Sequence, residues 1–233
     1  MSQEAKRNNR VLGLDQQVFE WSFLTLGLLV QVVTYWISTR YLDADIEWLS
    51  LFSGCMGVCS VCLCAQGRIS TYIFGFAQVL TYLFICLRAR LYGEVAINIY
   101  YFFTMIYGVW LWRRRLNSQN DNRVKTRRLS LKVMAAIVSV LVILSAGVGW
   151  LLEAYTDDPT PYLDAFTTLA SVVAQLLMIQ AFRNQWFLWM AVDVTSTVMW
   201  IYLGNWCMAA QYIFWCCNCL YGYYRWASLE AEA

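Results

Sequence analysis

The chain alternates long apolar stretches with short polar or charged segments over most of its length. Eight stretches each approach the roughly 20 apolar residues that a helix needs to cross a bilayer core. They cover residues 21–38, 48–66, 70–87, 92–112, 131–152, 161–182, 186–203 and 206–226, and are numbered spans 1 to 8. Basic residues precede span 1, but it is long and no small-residue cleavage site follows, which favours a retained helix over a signal peptide. The pattern predicts an all-α polytopic membrane protein with eight transmembrane helices.

Composition supports this class and narrows the chemistry. Of the 233 residues, 60% are hydrophobic and 14% are charged, whereas soluble domains carry about 25% charged residues. Histidine is absent, so Ser-His-Asp and Cys-His arrangements and His-ligated metals are excluded. We therefore expect a protein that is not an enzyme and that has no cofactor.

Basic residues are distributed unevenly between the two sides of the predicted membrane. With a cytoplasmic N-terminus, fourteen of the seventeen Lys and Arg residues fall in inside segments, eight of them in the loop 113–132. Because positive charge collects on the cytoplasmic side, both termini are predicted to be cytoplasmic in a bacterial inner membrane. The loop could also be a nucleic-acid or lipid-binding patch, but orientation and attraction to anionic lipid explain it better, and no nucleic-acid partner is expected.

The chain also resembles itself at an offset of about 114–115 residues. Spans 2–4 and 6–8 share lengths and short links, while span 5 joins the two sets. The matched pairs are Phe74 and Trp189, Gln78 and Asp193, Tyr101 and Trp215, Tyr107 and Tyr221, Gly108 and Gly222, and Trp112 and Trp226. Corresponding spans lie four apart, so the two sets enter the membrane in the same direction. The layout predicts one extra helix followed by two parallel three-helix repeats joined by a linker helix, 1 + (3+1+3), with a midplane site between them.

These features divide the chain into five segments. The boundaries are 1–46 for the N-terminus with the extra helix, 47–112 for the first repeat, 113–160 for the basic loop, linker helix and acidic outer loop, 161–226 for the second repeat, and 227–233 for the tail.

Polar side chains within the spans recur at helical spacing and so share faces. The second repeat carries most of them, which predicts that it supplies most ligand contacts. Its faces are Asp164, Thr168, Ser171 and Gln175 on span 6, Trp186, Trp189, Asp193, Thr197 and Trp200 on span 7, and Gln211, Trp215, Asn218 and Gly222 on span 8. The first repeat offers Gln78 and Tyr82 on span 3, and Asn98, Tyr101 and Met105 on span 4.

Two kinds of residue have competing interpretations. Asp193 is the one acidic residue in the middle of a span, and it is either a ligand contact or a structural Asp satisfied by Thr197 or a neighbouring helix. Trp215 and Trp189 lie near the midplane, where they either pack helices or stack on a flat, cationic ring. Interfacial anchoring is the simplest role for four tryptophans near span ends, namely Trp110, Trp112, Trp206 and Trp226.

The nine cysteines do not form a metal motif. The spacings among Cys55, Cys59, Cys62 and Cys64, and among Cys216, Cys217 and Cys219, match no zinc pattern. Helix packing by small polarizable residues explains them better, and no metal site is expected.

The eight-span plan and two segments resemble the bacterial PnuC vitamin transporters, especially their nicotinamide riboside carriers. The segments are NIYYFFTMIYGVWLW from Asn98 and QYIFWCCNCLYGYYRW from Gln211, and the resemblance covers nearly all of the chain from about residue 47. It implies a fold similar to the SWEET sugar transporters, facilitated diffusion of nicotinamide riboside, trapping by a cytoplasmic riboside kinase, and a homo-oligomer such as a trimer. Related members take thiamine or riboflavin.

Carried over position by position, the resemblance implies ligand contacts at seven residues. These are Asn98, Gln175, Trp189, Asp193, Gln211, Trp215 and Asn218. Together with the faces above, the candidate substrate-binding residues are Gln78, Asn98, Tyr101, Gln175, Trp186, Trp189, Asp193, Thr197, Gln211, Trp215 and Asn218. A riboside suits them, because a pyridinium ring can stack on tryptophan, a carboxamide needs an amide partner, and the absence of phosphate removes the need for a buried Arg.

Other function classes fit less well. An ion-coupled carrier would use Asp193 as its coupling residue, and this alternative stays open. A retinal protein needs a lysine deep within the membrane, but the three lysines, Lys6, Lys125 and Lys132, lie outside the spans or at the very start of one. An intramembrane enzyme would normally need a second deep titrating group beside Asp193.

Overall fold

The computed structural model describes residues 10–11, 14–41, 48–89, 92–119, 123–204 and 206–231. Within these ranges the chain forms a two-residue strand pair and eight α-helices. The elements are β1 (Arg10–Val11), β2 (Leu14–Asp15), α1 (Gln16–Tyr41), α2 (Trp48–Ala65), α3 (Thr71–Ala89), α4 (Tyr92–Gln119), α5 (Leu131–Tyr155), α6 (Pro161–Ile179), α7 (Gln185–Tyr202) and α8 (Trp206–Ala231). Each helix covers one predicted span, so the prediction of an all-α protein with eight helices is confirmed. The predicted boundary at 46/47 and residues 1–9 and 232–233 lie outside the described residues.

Helix ends follow local chemistry. Ser130 precedes α5, and its hydroxyl accepts a hydrogen bond from the Val133 amide at 3.4 Å, as an N-cap does. Pro161 occupies the first turn of α6, where its missing N–H costs nothing. Gly67 after α2 and Ala181 after α6 have φ angles of 70° and 58°. Residues in this left-handed conformation end a helix sharply, which explains the short links that follow α2 and α6.

Six helices form a closed ring. Contacts run from α2 to α3, α3 to α4, α4 to α6, α6 to α7, α7 to α8, and from α8 back to α2. The remaining two helices lie outside the ring, α1 against α2 and α8, and α5 against α6. The enclosed space is therefore bounded by α2, α3 and α4 on one side and α6, α7 and α8 on the other.

Residues 123–130, called the strap, cross one end of this ring. The Val124 amide donates to the Gly67 carbonyl at 3.0 Å, and the Arg127 amide donates to the Ala181 carbonyl at 2.8 Å. The Thr126 hydroxyl, which is buried, donates to the Trp226 carbonyl at 2.7 Å. The strap thus bonds to both sharp turns and to α8, and we call this end of the molecule the strap end.

A buried carboxylate fastens α1 at the strap end. Glu20 is 4% exposed, and its Oε1 accepts hydrogen bonds from Gln16 Nε2 at 2.7 Å and from the Tyr221 hydroxyl at 2.9 Å. Arg68 and Arg123 approach the same carboxylate at 3.6 and 3.8 Å. One side chain of α1 therefore joins α8, the turn after α2 and the strap.

Two indole rings at the strap end donate reciprocally across the ring. Trp112 Nε1 of α4 donates to the Ile179 carbonyl at 3.1 Å, and Trp226 Nε1 of α8 donates to the Cys64 carbonyl at 2.9 Å. Both rings have 0% exposure, so the prediction that Trp112 and Trp226 are interfacial anchors is wrong. Indole N–H groups need a partner when buried, and helix-terminal carbonyls provide one here. Trp110 and Trp206 are exposed, as anchors must be.

Among the helices in the described ranges, six are long and apolar enough to cross a membrane by length and composition, namely α1 to α6. Helices α7 and α8 are less apolar, because they carry Asp193, Gln211 and Asn218 and because many of their other residues are Trp or Tyr. At 18 residues α7 is about 27 Å long, close to the thickness of a bilayer core. Both helices pack in the same ring as four of the apolar ones.

Candidate functional site

The ring encloses a cavity of about 590 Å³, within the size range of small-molecule sites. Nine of the eleven predicted site residues line it. They are Gln78, Asn98, Tyr101, Gln175, Trp186, Trp189, Asp193, Trp215 and Asn218. The helical faces identified in the sequence therefore do converge on one space.

Thr197 and Gln211 are not among the described lining residues. The Thr197 hydroxyl donates to the backbone carbonyl of Asp193 at 2.7 Å, so it satisfies its own helix rather than the carboxylate. Gln211 is buried on α8, one turn before Trp215, which does line the cavity. Both residues lie on the same helix faces as lining residues. Helical periodicity identifies the face, but it does not tell which residues along that face reach the cavity.

The carboxylate of Asp193 lies between α7 and α8. It is 4% exposed, and Oδ2 accepts a hydrogen bond from the Cys219 thiol at 3.3 Å. A thiol is a weak donor, so a buried carboxylate with this partner retains capacity to accept stronger hydrogen bonds. The structure thus supplies a neighbouring-helix partner for Asp193 and also places it at the cavity wall.

The opposite wall is formed where α4 and α6 run side by side in the same direction. The Tyr100 hydroxyl donates to the Val172 carbonyl at 2.9 Å, and Gln175 Nε2 lies 3.5 Å from Thr104 Oγ1. Trp112, further along α4, reaches Ile179 at the end of α6. The two helices are therefore parallel, and both begin at the end opposite the strap, which we call the far end. Asn98 on this wall donates to the Glu94 carbonyl at 2.7 Å.

Aromatic rings close the cavity at the strap end. Tyr72 and Trp186 line it there, and each packs edge to face on a fully buried tryptophan. The ring centroids are 5.2 Å apart for Tyr72 and Trp112, and 5.6 Å apart for Trp186 and Trp226. These four residues form the aromatic cluster, against which Val124 of the strap is also buried.

The cavity opens at the far end. Its lining there includes Pro159, Glu94 and Leu203, which are exposed to solvent. The lining at the strap end consists of buried residues such as Cys64 and Cys219. The described conformation is therefore accessible from one end and closed at the other.

Several buried polar atoms of the lining have no hydrogen-bond partner within the described part of the chain. They include the Tyr72 hydroxyl, Trp186 Nε1, Trp215 Nε1, Asn218 Oδ1 and both amide atoms of Gln185. Leaving a buried donor or acceptor unpaired costs about 1 to 3 kcal/mol, so these groups lack a partner that the described residues could have supplied. This arrangement of indole donors and side-chain amides around one space is suited to a flat ring bearing polar substituents.

Sequence reasoning did not identify two lining residues at the strap end, Gln185 and Tyr72. Gln185 has 0% exposure, but it immediately precedes predicted span 7, so the predicted polar face of that span does not include it. Tyr72 lies 114 positions before Trp186, the offset of the internal similarity. The internal similarity therefore pairs these two rings across spans 3 and 7.

Comparison with known proteins identifies the family. A family model for nicotinamide mononucleotide transporters matches residues 47–228, which include all nine predicted residues that line the cavity. The chain belongs to the nicotinamide mononucleotide transporter family. Membership shows that the protein is a transporter rather than an enzyme.

Relatives within the family resemble this chain over almost its full length. The nicotinamide riboside transporter PnuC of Haemophilus influenzae is 31% identical over 218 residues, covering 91% of this chain and 90% of the relative. That of Neisseria mucosa is 29% identical over 222 residues, covering 91% and 81%. A crystal structure of the vitamin B3 transporter PnuC superposes with a TM-score of 0.72 at 27% identity, covering 92% of each chain. Together with the apolar helices, these relatives show a multi-pass protein of a bacterial membrane.

Proposed function

We propose that this transporter carries nicotinamide riboside, and that the cavity is its substrate site. The observation that carries the proposal is the lining itself, in which indole, amide and carboxylate side chains such as Trp215, Asn218 and Asp193 surround one space. Nicotinamide riboside offers matching groups, namely a flat pyridinium ring, a carboxamide and ribose hydroxyls. Relatives of similar length are named for the transport of this compound.

Each part of the riboside has a suitable partner in the wall. The pyridinium ring can stack on Trp215 or Trp189, where cation–π attraction contributes about 0.5 to 2 kcal/mol. The carboxamide can exchange hydrogen bonds with the amide of Asn218 or Gln175, and Asp193 can accept from ribose hydroxyls. The described lining contains no Lys or Arg, so the phosphate of the corresponding mononucleotide would lack a charged partner. This argues for the riboside over the mononucleotide.

Transport proceeds, in this proposal, by alternating access around the cavity. The described state is open at the far end and closed at the strap end by the aromatic cluster. The strap carries Arg123, Lys125, Arg127 and Arg128, and the positive-inside rule assigns such a segment to the cytoplasm. The far end then faces outward and both termini are cytoplasmic.

The proposed moving parts are two parallel three-helix repeats with α1 added and α5 as linker, an arrangement similar to the SWEET transporters. Matched contacts support this division. The indole bonds of Trp112 and Trp226 lie 114 residues apart, and their acceptors Cys64 and Ile179 lie 115 apart. The turns at Gly67 and Ala181 are also 114 apart. The corresponding boundaries are 1–46, 47–112, 113–160, 161–226 and 227–233.

Facilitated diffusion with trapping by a cytoplasmic riboside kinase, within a homo-oligomer, completes the proposal. A facilitator needs no ion-coupling residue. Asp193 has the Cys219 thiol as its partner, and substrate binding accounts for its place in the wall. Phosphorylation of the riboside inside the cell would keep the inward gradient favourable.

Uptake by liposomes containing only the purified protein tests this function. We expect labelled nicotinamide riboside to equilibrate across the membrane, and to do so equally after the proton and sodium gradients are collapsed. Excess unlabelled riboside should compete, whereas the mononucleotide, thiamine and riboflavin should compete weakly. Uptake that requires either gradient would refute the facilitator, and stronger competition by another vitamin would reassign the substrate.

A further inference from the structure

The described residues that line the cavity include three charged side chains, and all three are carboxylates. Asp193 lies within the wall, and Glu94 and Asp164 lie nearer its opening. Arg40 and Arg88 occupy the last turns of α1 and α3, but neither belongs to the lining. The described wall of the cavity therefore holds acidic side chains at its opening and deeper inside, and it holds no basic one.

The two carboxylates at the opening are neighbours because α4 and α6 are parallel. Tyr100 bonds to Val172 and Thr104 lies beside Gln175, so positions on the two helices correspond at a spacing of about 70 residues. By that correspondence Glu94, near the start of α4, lies beside Asp164 in the first turn of α6. Both therefore border the path into the cavity from the far end.

No ion pair to these carboxylates is found among the described residues. Asp164 Oδ2 accepts a hydrogen bond from the Thr160 hydroxyl at 3.0 Å, and Asp193 Oδ2 accepts one from the Cys219 thiol at 3.3 Å. The ion pairs found within the described ranges involve Glu20 and Glu230 instead. Neutral hydrogen-bond donors orient the carboxylates of Asp164 and Asp193, and neither carboxylate has a basic partner in the described ranges.

We infer that this transporter selects its substrate by charge, with Glu94 and Asp164 acting as an acidic vestibule that favours a cationic ligand over a neutral one of the same shape. The inference rests on the proposed function, since the riboside ring carries one positive charge. A vestibule lined by one sign of charge raises the local concentration of the opposite charge and speeds its association. Asp193 places a third carboxylate in the cavity wall, beside the position proposed for the bound riboside.

Glu94 and Asp164 also have an ordinary structural role to be distinguished. Each lies in the first turn of its helix, where an acidic side chain stabilises the helix dipole. Loss of that stabilisation would weaken binding of every ligand alike. A charge-selective role, in contrast, would weaken binding of the cation more than that of a neutral analogue.

The test compares two ligands that differ by one hydride. Nicotinamide riboside is a cation, and its reduced dihydropyridine form is neutral with nearly the same shape. We expect the purified protein to bind the cation more tightly, with an association rate that falls as salt rises from low to physiological ionic strength. Glu94→Gln and Asp164→Asn should each reduce the cation-to-neutral affinity ratio by about two- to tenfold, the effect of one charge at about 10 Å. The double variant should reduce it further.

Glu153→Gln is the matched control. Glu153 is an exposed carboxylate at the far end whose Oε2 accepts the Tyr162 hydroxyl at 2.7 Å, and it is not among the described lining residues. Its removal should leave the affinity ratio unchanged. An unchanged ratio in both single variants, together with salt-independent association in the unmodified protein, would overturn the charge selection while leaving riboside transport intact. Failure of the unmodified protein to bind the riboside at all would overturn the proposed function and this inference together.

Discussion

Replacing Gly222 by alanine tests how tightly the cavity wall is fitted behind Trp186. Gly222 lies on α8, and a Cβ atom added to it would be 2.5 Å from Cζ2 and 2.6 Å from Cε2 of the Trp186 ring. Carbon atoms in favourable contact are about 3.5 to 4.0 Å apart, so the ring would have to shift by about 1 Å. Trp226 packs against the same ring and blocks one direction, which leaves the cavity as the space into which Trp186 can move.

The expected loss follows from that displacement. Overpacking a buried position costs typically about 1 to 3 kcal/mol, and ligand binding would have to restore the original ring position at that cost. The dissociation constant for nicotinamide riboside should therefore rise by roughly 5- to 150-fold. Gly108 offers a second test, because a Cβ atom there would lie 2.5 Å from the Tyr72 hydroxyl oxygen.

Calorimetric titration of the purified variants with the riboside measures this change, and a thermal scan shows whether each variant is folded. Gly147→Ala on α5 is the matched control, because a Cβ atom added there meets nothing within 4 Å. It should bind normally and unfold at the same or a higher temperature, since alanine favours a helix by about 1 kcal/mol over glycine. A folded Gly222→Ala protein with unchanged affinity would refute the role of Trp186 in the site.

Three further substitutions test separate parts of the structure. Trp226→Phe removes the hydrogen-bond donor to the Cys64 carbonyl and should lower the free energy of unfolding by about 1 to 3 kcal/mol. A lower midpoint of thermal unfolding would measure this loss, and an unchanged midpoint would show that the indole hydrogen bond does not stabilise the fold. Glu20→Gln should lower the same midpoint because the Tyr221 and Arg68 contacts weaken, and normal stability would show that α1 is held by packing alone. Trp215→Ala should weaken riboside binding by more than about 1 kcal/mol, whereas Trp110→Ala, on an exposed ring, should not; equal effects would exclude stacking on Trp215.

The sequence predicted the helices well because each apolar stretch is bounded by residues that favour helix ends or turns. Helix α5, for example, begins one residue after the Ser130 cap. The predicted polar faces also met, since a repeat of 3.6 residues places Gln175 and Asp193 on one side of their helices. Both residues line the cavity.

The burial of a side chain was harder to predict than the helix face on which it lies. Trp112 and Trp226 are tryptophans near span ends, which is typical of interfacial anchors. Only their contacts with the ends of α6 and α2 show that they are buried. Glu20 precedes span 1 by one residue, where an acidic side chain normally faces water, yet four neighbouring polar groups bury it. Gln211 was placed on the correct face of its helix but is not among the described lining residues. Hydropathy describes the residue, whereas burial depends on which neighbours the fold brings to it.

The reciprocal indole bonds have a consequence for how the chain can be assembled. Trp112 satisfies a carbonyl at the end of α6, and Trp226 satisfies one at the end of α2. In the proposed arrangement, each half therefore needs the other to donate a hydrogen bond to one of its backbone carbonyls. If the halves were separated, the indole N–H of each would also lose its acceptor. Two fragments divided between 112 and 131 would be poor folding units alone but complementary when produced together, so the halves are partners in a covalently joined dimer rather than independent domains.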